Sequence, residues 1–303
     1  MKILVCDKLE AEAIEQMRAA GLVVDVRDEI TPEELPTVLP AYDGMVVRSR
    51  TKVRQPLIEA CPDLKVIVRG GVGLDTIDAE FARSKGITVM NTPIASSASV
   101  AELTIGYMFA LARASYQATS SMKAEKWEKK KFEGQEVGGK TLGLIGLGHI
   151  GREVARRATA LGMSVIAYDP YVKEADGVLL VSLQELLAKS DYISLHLPKT
   201  AESAGLLGKE AFAQMKAGVR IINCARGGII DEKALIEALS NGKVAGAALD
   251  VYAEEPPTDW TLVKLPNVIC SPHIGAATIE AQGRVGAEVA QKLIEFAKNR
   301  QPA

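Results

Sequence analysis

Three polar residues in the second half of the sequence each stand just after a short apolar run, the place where an open α/β sheet presents side chains to a ligand. They are Arg226 in Cys224-Ala225-Arg226-Gly227-Gly228, Glu255 in the loop that follows Leu249-Asp250, and His273 in Ser271-Pro272-His273-Ile274-Gly275-Ala276. Singly, each has a plain reading: a surface charge, an acid in a proline loop, a loop histidine. Together they could oxidise a secondary alcohol. Histidine titrates nearest neutral pH and can take the hydroxyl proton. A glutamate beside it stabilises the imidazolium and fixes its orientation. An arginine can hold a carboxylate with two parallel hydrogen bonds and polarise the neighbouring oxygen. His149 and His196 compete for the base role, and both are assigned to the rim of a cofactor site or to structure.

Such an oxidation needs a hydride acceptor, and the stretch Thr141 to Gly151 supplies a place for one. It carries Gly146, Gly148 and Gly151 at the spacing Gly-x-Gly-x-x-Gly, after the strand-like run Leu142 to Ile145 and before a helical pattern from Arg152. Gly146 permits a tight turn, Gly148 lets the backbone approach a pyrophosphate, and Gly151 lets helix and strand pack closely. The helix N-terminus offers free N–H groups to the phosphates. The next strand-like run ends at Asp169, and 169 − 151 = 18 places this acid near the expected distance from the third glycine. A carboxylate there accepts hydrogen bonds from the adenosine ribose hydroxyls and repels a 2′-phosphate, which selects NAD over NADP.

Short β-branched runs alternate with longer helical patterns along the whole chain, the signature of βα units on mostly parallel sheets. In the first third the runs are Ile3 to Val5, Leu22 to Val26, Met45 to Val47, Val66 to Val68 and Ile87 to Met90. A helix over Leu9 to Ala20 ends at Gly21, and Thr31-Pro32-Glu33-Glu34 reads as a capping box with proline at the first helical position. A long apolar helix runs from Ser96 to about Arg113. Six strands follow, at Leu142 to Ile145, Ser164 to Tyr168, Tyr192 to Leu195, Val219 to Ile222, Val244 to Leu249 and Asn267 to Cys270. The amphipathic segment Glu280 to Lys298 comes too late to belong to that second sheet and is expected to return to the first unit.

With 303 residues, 48% of them hydrophobic and 24% charged, the chain is long enough for two domains of ordinary size. Its net charge of −2 supplies no general basic field to hold nucleic acid or an anionic membrane. The apolar run near Met1 is too short for a signal peptide and no stretch has transmembrane length, so a cytoplasmic setting is expected. Cys6, Cys61, Cys224 and Cys270 lie far apart with no Cys-x-x-Cys pair, and are read as buried reduced thiols, with no metal site.

The order of fingerprint, Asp169, Arg226, Glu255 and His273 resembles that of the D-isomer-specific 2-hydroxyacid dehydrogenases, and the resemblance spans nearly the whole sequence. It implies an α/β protein with a doubly wound parallel-sheet (Rossmann) NAD domain over residues 96–278. A second, flavodoxin-like α/β substrate domain would be formed by residues 1–95 plus 279–303. By the same likeness Arg226, Glu255 and His273 match the family's catalytic residues. Asp250, the backbone of Cys224 and Ala225, and the segment from His273 through Gly275 and Ala276 would lie near the nicotinamide, with His149 and Ile150 beside the pyrophosphate.

The segments Val46 to Val53, Val68 to Asp78, Met90 to Pro93 and Trp127 to Phe132 resemble the branch of the family that acts on a phosphorylated hydroxy acid. Arg48 and Arg69 end strand-like runs and suit a dianionic phosphate, while Gly71, Val72 and Gly73 offer backbone N–H groups to a carboxylate. The plain alternative makes both arginines salt-bridged surface residues. The resemblance therefore implies oxidation of 3-phospho-D-glycerate to 3-phosphooxypyruvate with NAD, at the entry to serine synthesis. A glyoxylate, hydroxypyruvate or D-lactate enzyme is the nearest alternative, and an NAD-sensing corepressor-like binding protein is the alternative of another class. Lys123, Lys126 and Lys129 to Lys131 read by themselves as a solvated face; in the family the region after the linking helix crosses to a second subunit, so a homodimer is expected, and the resemblance offers one of these lysines a second role at the partner's substrate. Val72 and Asp75-Thr76 depart from the commoner residues of that branch, which bears on the shape of the carboxylate loop.

Overall fold

Nearly unbroken runs of Val, Ile and Leu form strands when both faces of a sheet are covered, because every side chain then leaves water whichever way it points. That condition holds for the central strands of the protein, whose structure, a computed structural model, describes residues 1–300. The chain divides into two units, Met1–Ser96 together with the segment from Ala276 onward, and Ser97–Gly275.

In the first unit the elements are β1 (Lys2–Val5), α1 (Ala11–Ala19), β2 (Val23–Val26), α2 (Leu35–Val38), β3 (Gly44–Val47), α3 (Gln55–Glu59), β4 (Val66–Arg69), α4 (Ala79–Ser84) and β5 (Thr88–Asn91). The five strands are parallel in the order β2-β1-β3-β4-β5, which is the flavodoxin order. Ile3 and Val5 point to one core with Val46, Val66 and Val68, while Leu4 and Cys6 point to the other with Met45, Val47 and Ile67. Thr31 and Glu34 make the reciprocal capping-box hydrogen bonds, Thr31 N–H to Glu34 Oε2 at 2.9 Å and Glu34 N–H to Thr31 Oγ1 at 3.3 Å. The helix they introduce is only the short α2, since Pro36 and Pro40 remove donors that a longer one would need.

The second unit contains α5 (Ser97–Arg113), α6 (Ser115–Lys123), β6 (Thr141–Ile145), α7 (His149–Ala160), β7 (Ser164–Tyr168), β8 (Leu179–Leu180), α8 (Leu183–Lys189), β9 (Tyr192–Leu195), α9 (Lys209–Gln214), β10 (Val219–Asn223), α10 (Glu232–Ser240), β11 (Val244–Leu249) and β12 (Val268–Cys270). Its sheet has seven parallel strands in the order β12-β11-β10-β9-β6-β7-β8, a doubly wound arrangement with its switch point between β6 and β9. The sequence reading found six of the seven. It missed β8, a two-residue edge strand too short to show periodicity.

The last helix, α11 (Ile279–Lys298), belongs to the first unit and packs on α1 and β4. Val285 and Val289 fill the space over Gly70, where an added Cβ would come within 3.1 Å of Val285. The boundary falls at Gly275–Ala276, a few residues before the expected 278, because Gln282 Nε2 on α11 donates to the Ala276 carbonyl at 2.6 Å and ties that residue to its own helix. Ala276 thus stands in the first unit and Gly275 in the second. One thiol corrects the sequence reading: Cys6, Cys61 and Cys224 are buried, but Cys270, at the end of edge strand β12, is exposed. Among the described residues no helix is long and apolar enough to cross a membrane, and no cluster of His, Cys, Asp and Glu could hold a metal ion.

Candidate active site

The glycine fingerprint turns between β6 and α7. Gly146 has φ +95°, a conformation that costs an L side chain dearly, and a Cβ there would strike the His196 carbonyl. A Cβ on Gly151 would meet the Gly146 carbonyl, so the first turn of α7 can lie against the strand end only because this residue has no side chain. Gly148 faces open space, with nothing within 4 Å of its would-be Cβ. Room beside Gly148 and the free amides at the start of α7, where His149 and Ile150 stand, fit a pyrophosphate. Asp169 follows β7. Its Oδ2 accepts from Leu147 N–H at 2.8 Å and its Oδ1 from Tyr171 N–H at 2.9 Å, so the carboxylate locks the glycine turn to the end of the neighbouring strand. Each oxygen retains a lone pair for a ribose hydroxyl.

Behind this turn, burial pushes the His196 imidazole down to about 3, and its Nε2 lies 2.8 Å from Ser194 Oγ. A ring that is buried, neutral and bonded inward fits a structural group, one of the two roles, cofactor rim or structure, that the sequence leaves open. His149 is exposed at the first turn of α7.

The three polar residues of the opening argument stand after β10, β11 and β12, which are adjacent in the sheet. His273 Nδ1 lies 2.7 Å from Glu255 Oε2, leaving Nε2 for a substrate. Burial is the largest influence on Glu255 and would raise its carboxyl. The His273 hydrogen bond, the Tyr252 N–H at 3.2 Å and the Arg226 charge together outweigh it and hold the group below the usual glutamate range. The carboxylate is therefore charged wherever the histidine could act. Arg226 leaves β10 through a turn clamped by Asn223, a buried residue whose Oδ1 accepts from Ala225 N–H at 3.0 Å and whose Nδ2 donates to the Arg226 carbonyl at 2.9 Å. Its guanidinium also donates to the Ala225 carbonyl at 2.6 Å.

Gly227 explains the glycines after Arg226. A Cβ there would overlap the Tyr252 carbonyl, at the start of the loop that carries Glu255. Backbone cannot yield as a side-chain tip can, so Gly227→Ala is expected to cost at least about 3 kcal/mol. That corresponds to a fall in Tm of roughly 6–12 °C. Thermal unfolding by circular dichroism measures it, and an unchanged Tm would show that the two loops are not in contact.

Asp250 and the segment after His273 stand close together in another way. The Asp250 carboxylate is buried and accepts from Ile274 N–H at 2.8 Å, from Gly275 N–H at 2.7 Å and from Ser271 Oγ. Asp250 and Gly275, which the family resemblance expects near the nicotinamide, are bonded to each other. Sequence reasoning had not singled out Ser271, Tyr107 or Tyr252. Tyr252 Oη donates to the Ser271 carbonyl at 2.9 Å, and Tyr107 shares a hydrogen bond with Ser271 Oγ. Tyr107 gives no signal in the sequence, being one aromatic residue on a long apolar helix.

In the first unit, Arg69 ends β4 and Arg48 follows β3. The Arg48 guanidinium donates to the side-chain oxygen of Gln282 on α11, and that of Arg69 to the Gly73 carbonyl in the Gly71-Val72-Gly73 loop. The Val72 carbonyl accepts from Asn91 Nδ2 at 2.5 Å, which fixes the loop from its other side.

Comparison with known proteins agrees with this geometry. Residues 105–275 match the model of the D-isomer-specific 2-hydroxyacid dehydrogenase, NAD-binding domain. The D-3-phosphoglycerate dehydrogenase of Archaeoglobus fulgidus is 50% identical over 303 residues, covering 98% of this chain but 58% of that protein. The chain thus spans little more than half the length of that relative. The hydroxypyruvate reductase of Thermotoga maritima is 49% identical over 298 residues, covering 97% of both. Among solved structures, D-lactate dehydrogenase from Aquifex aeolicus complexed with NAD and lactic acid superposes with a TM-score of 0.86 at 30% identity, covering 99% of this chain and 96% of that one.

Proposed function

The chain belongs to the D-isomer-specific 2-hydroxyacid dehydrogenase family, and from that premise we propose that it is an NAD-dependent oxidoreductase that oxidises 3-phospho-D-glycerate to 3-phosphooxypyruvate, the first step of serine biosynthesis. The observation that carries the chemistry is the His273–Glu255 pair at 2.7 Å with Arg226 on the neighbouring strand. His273 Nε2 accepts the proton of the substrate hydroxyl, and Glu255, charged beneath it, stabilises the imidazolium and keeps the ring from turning. Arg226 holds the carboxylate and polarises the C2 oxygen. NAD, when bound, supplies the hydride acceptor. The glycine turn, the α7 N-terminus and Asp169 would hold it.

Arg48 and Arg69, with Gly71, Val72 and Gly73, are the residues we assign to the anionic substrate, supported by the place of both arginines at the carboxyl ends of the paired strands β3 and β4. A homodimer is part of the same reading, supported by Phe109, Tyr116, Met122 and Trp127, large apolar side chains exposed along α5, α6 and the segment that follows. A cytoplasmic setting is supported by the free cysteines.

The Thermotoga maritima relative, 49% identical over 298 residues, supports a second reading, a hydroxypyruvate reductase. Absorbance at 340 nm separates the two: NADH formation with 3-phospho-D-glycerate but not D-glycerate supports the first, and NADH consumption with unphosphorylated hydroxypyruvate alone supports the second. NADH binding without turnover of either overturns the enzyme reading. Cofactor choice is tested by Asp169→Ala. Losing the Leu147 anchor weakens both cofactors alike, whereas losing the ribose hydrogen bonds weakens NAD alone, by about 10-fold or more. Dissociation constants from NADH and NADPH fluorescence give the ratio, and equal losses would remove Asp169 from the ribose site.

A further inference from the structure

His273 sits at φ +55°, a left-handed conformation that a residue with a Cβ keeps only when its surroundings impose it. The two amides that follow it, Ile274 N–H and Gly275 N–H, each bond one oxygen of the buried Asp250 carboxylate, at 2.8 and 2.7 Å. Ser99 Oγ, at the start of α5, donates to the Gly275 carbonyl at 2.6 Å. The loop cannot relax while that carboxylate keeps its place.

What keeps it there is a chain of hydroxyls. Ser271 Oγ donates its single hydroxyl hydrogen to Asp250 Oδ1, so the bond between Ser271 Oγ and Tyr107 must be donated by the tyrosine. We propose that Tyr107, on α5, is a positioning residue for the base: its hydroxyl orients Ser271, Ser271 orients Asp250, and Asp250 holds the backbone that aims His273 at Glu255. Burial raises the Tyr107 phenol above its usual range, so it remains a donor. Tyr252 braces the same serine through its carbonyl, at 2.9 Å, which leaves the serine hydroxyl to Tyr107 and Asp250 alone. The catalytic consequence rests on the dehydrogenase reading; the clamp itself does not.

The test is Tyr107→Phe, which removes one oxygen and leaves the ring to fill its place, with Ser271→Ala as a second variant that breaks the same chain and Ser271→Thr as the rescue that keeps the hydroxyl. Hydrogen exchange of the peptide containing Ile274 and Gly275 is read by mass spectrometry, without substrate. It is expected to quicken by about tenfold in the first two variants and not in the third. Turnover is read beside it: kcat falls by about tenfold, and the pH at which kcat/KM rises is displaced. Wild-type exchange in both variants, or quickened exchange with unchanged kcat and pH profile, overturns the proposal. A wild-type protein without turnover would strike the dehydrogenase reading and leave exchange alone to decide the clamp.

Discussion

His273→Gln lowers kcat by about 10³-fold, within the range that a well-placed general base contributes, while NADH still binds as to the wild type. Glutamine keeps a polar side chain facing Glu255 Oε2, the partner that now lies 2.7 Å from the ring, so the loss reports proton transfer more than collapse of the loop. Steady-state absorbance at 340 nm gives kcat and fluorescence titration gives the NADH affinity. Near-normal turnover would remove His273 from the mechanism. His196 could not take its place, being neutral and turned inward.

The second large effect is expected from Arg226→Gln, with kcat/KM falling by about 10³-fold as a charge-assisted grip on the substrate carboxylate and the developing C2 charge is lost. Arg226→Lys keeps the charge but not the planar fork, and is expected to recover less than about a tenth of the lost activity. The Asn223 clamp acts on the backbone of residues 225 and 226, so neither variant should unfold the turn. Unchanged Tm beside the kinetic loss checks this. Full activity in Arg226→Lys would mean that a point charge suffices and that the two-pronged grip is not made. Removing Arg226 also withdraws one of the influences that keeps the Glu255 carboxyl low, so the carboxyl should titrate at higher pH in the glutamine variant than in the wild type.

The periodicity of the chain determined much by itself. Apolar runs buried on both faces can only be strands of covered parallel sheets, and glycines at 146, 148 and 151 between a strand and a helix permit one kind of turn, because each answers a contact a side chain would break. Asp169, Arg226, Glu255 and His273 could be assigned to one edge of the sheet for the same reason: each follows an apolar run, and in a parallel sheet all such ends lie on one edge.

Adjacency was not legible. That β10, β11 and β12 are neighbours, so that Glu255 and His273 meet, follows from the winding of the sheet. The two-residue strand β8 and the exposure of Cys270 lay below any periodic signal, since an edge strand is covered on one side only. The fate of Asp250 was likewise hidden. A carboxylate after an apolar run does not announce which groups it will bind, and only the fold, by bringing Tyr107, Ser271 and the loop after His273 together, set Asp250 against two backbone amides and a hydroxyl. Sequence spacing sets which side chains leave a strand on the same edge; hydrogen bonds between segments more than a hundred residues apart, such as that of Tyr107 to Ser271, exist only once the chain has closed on itself.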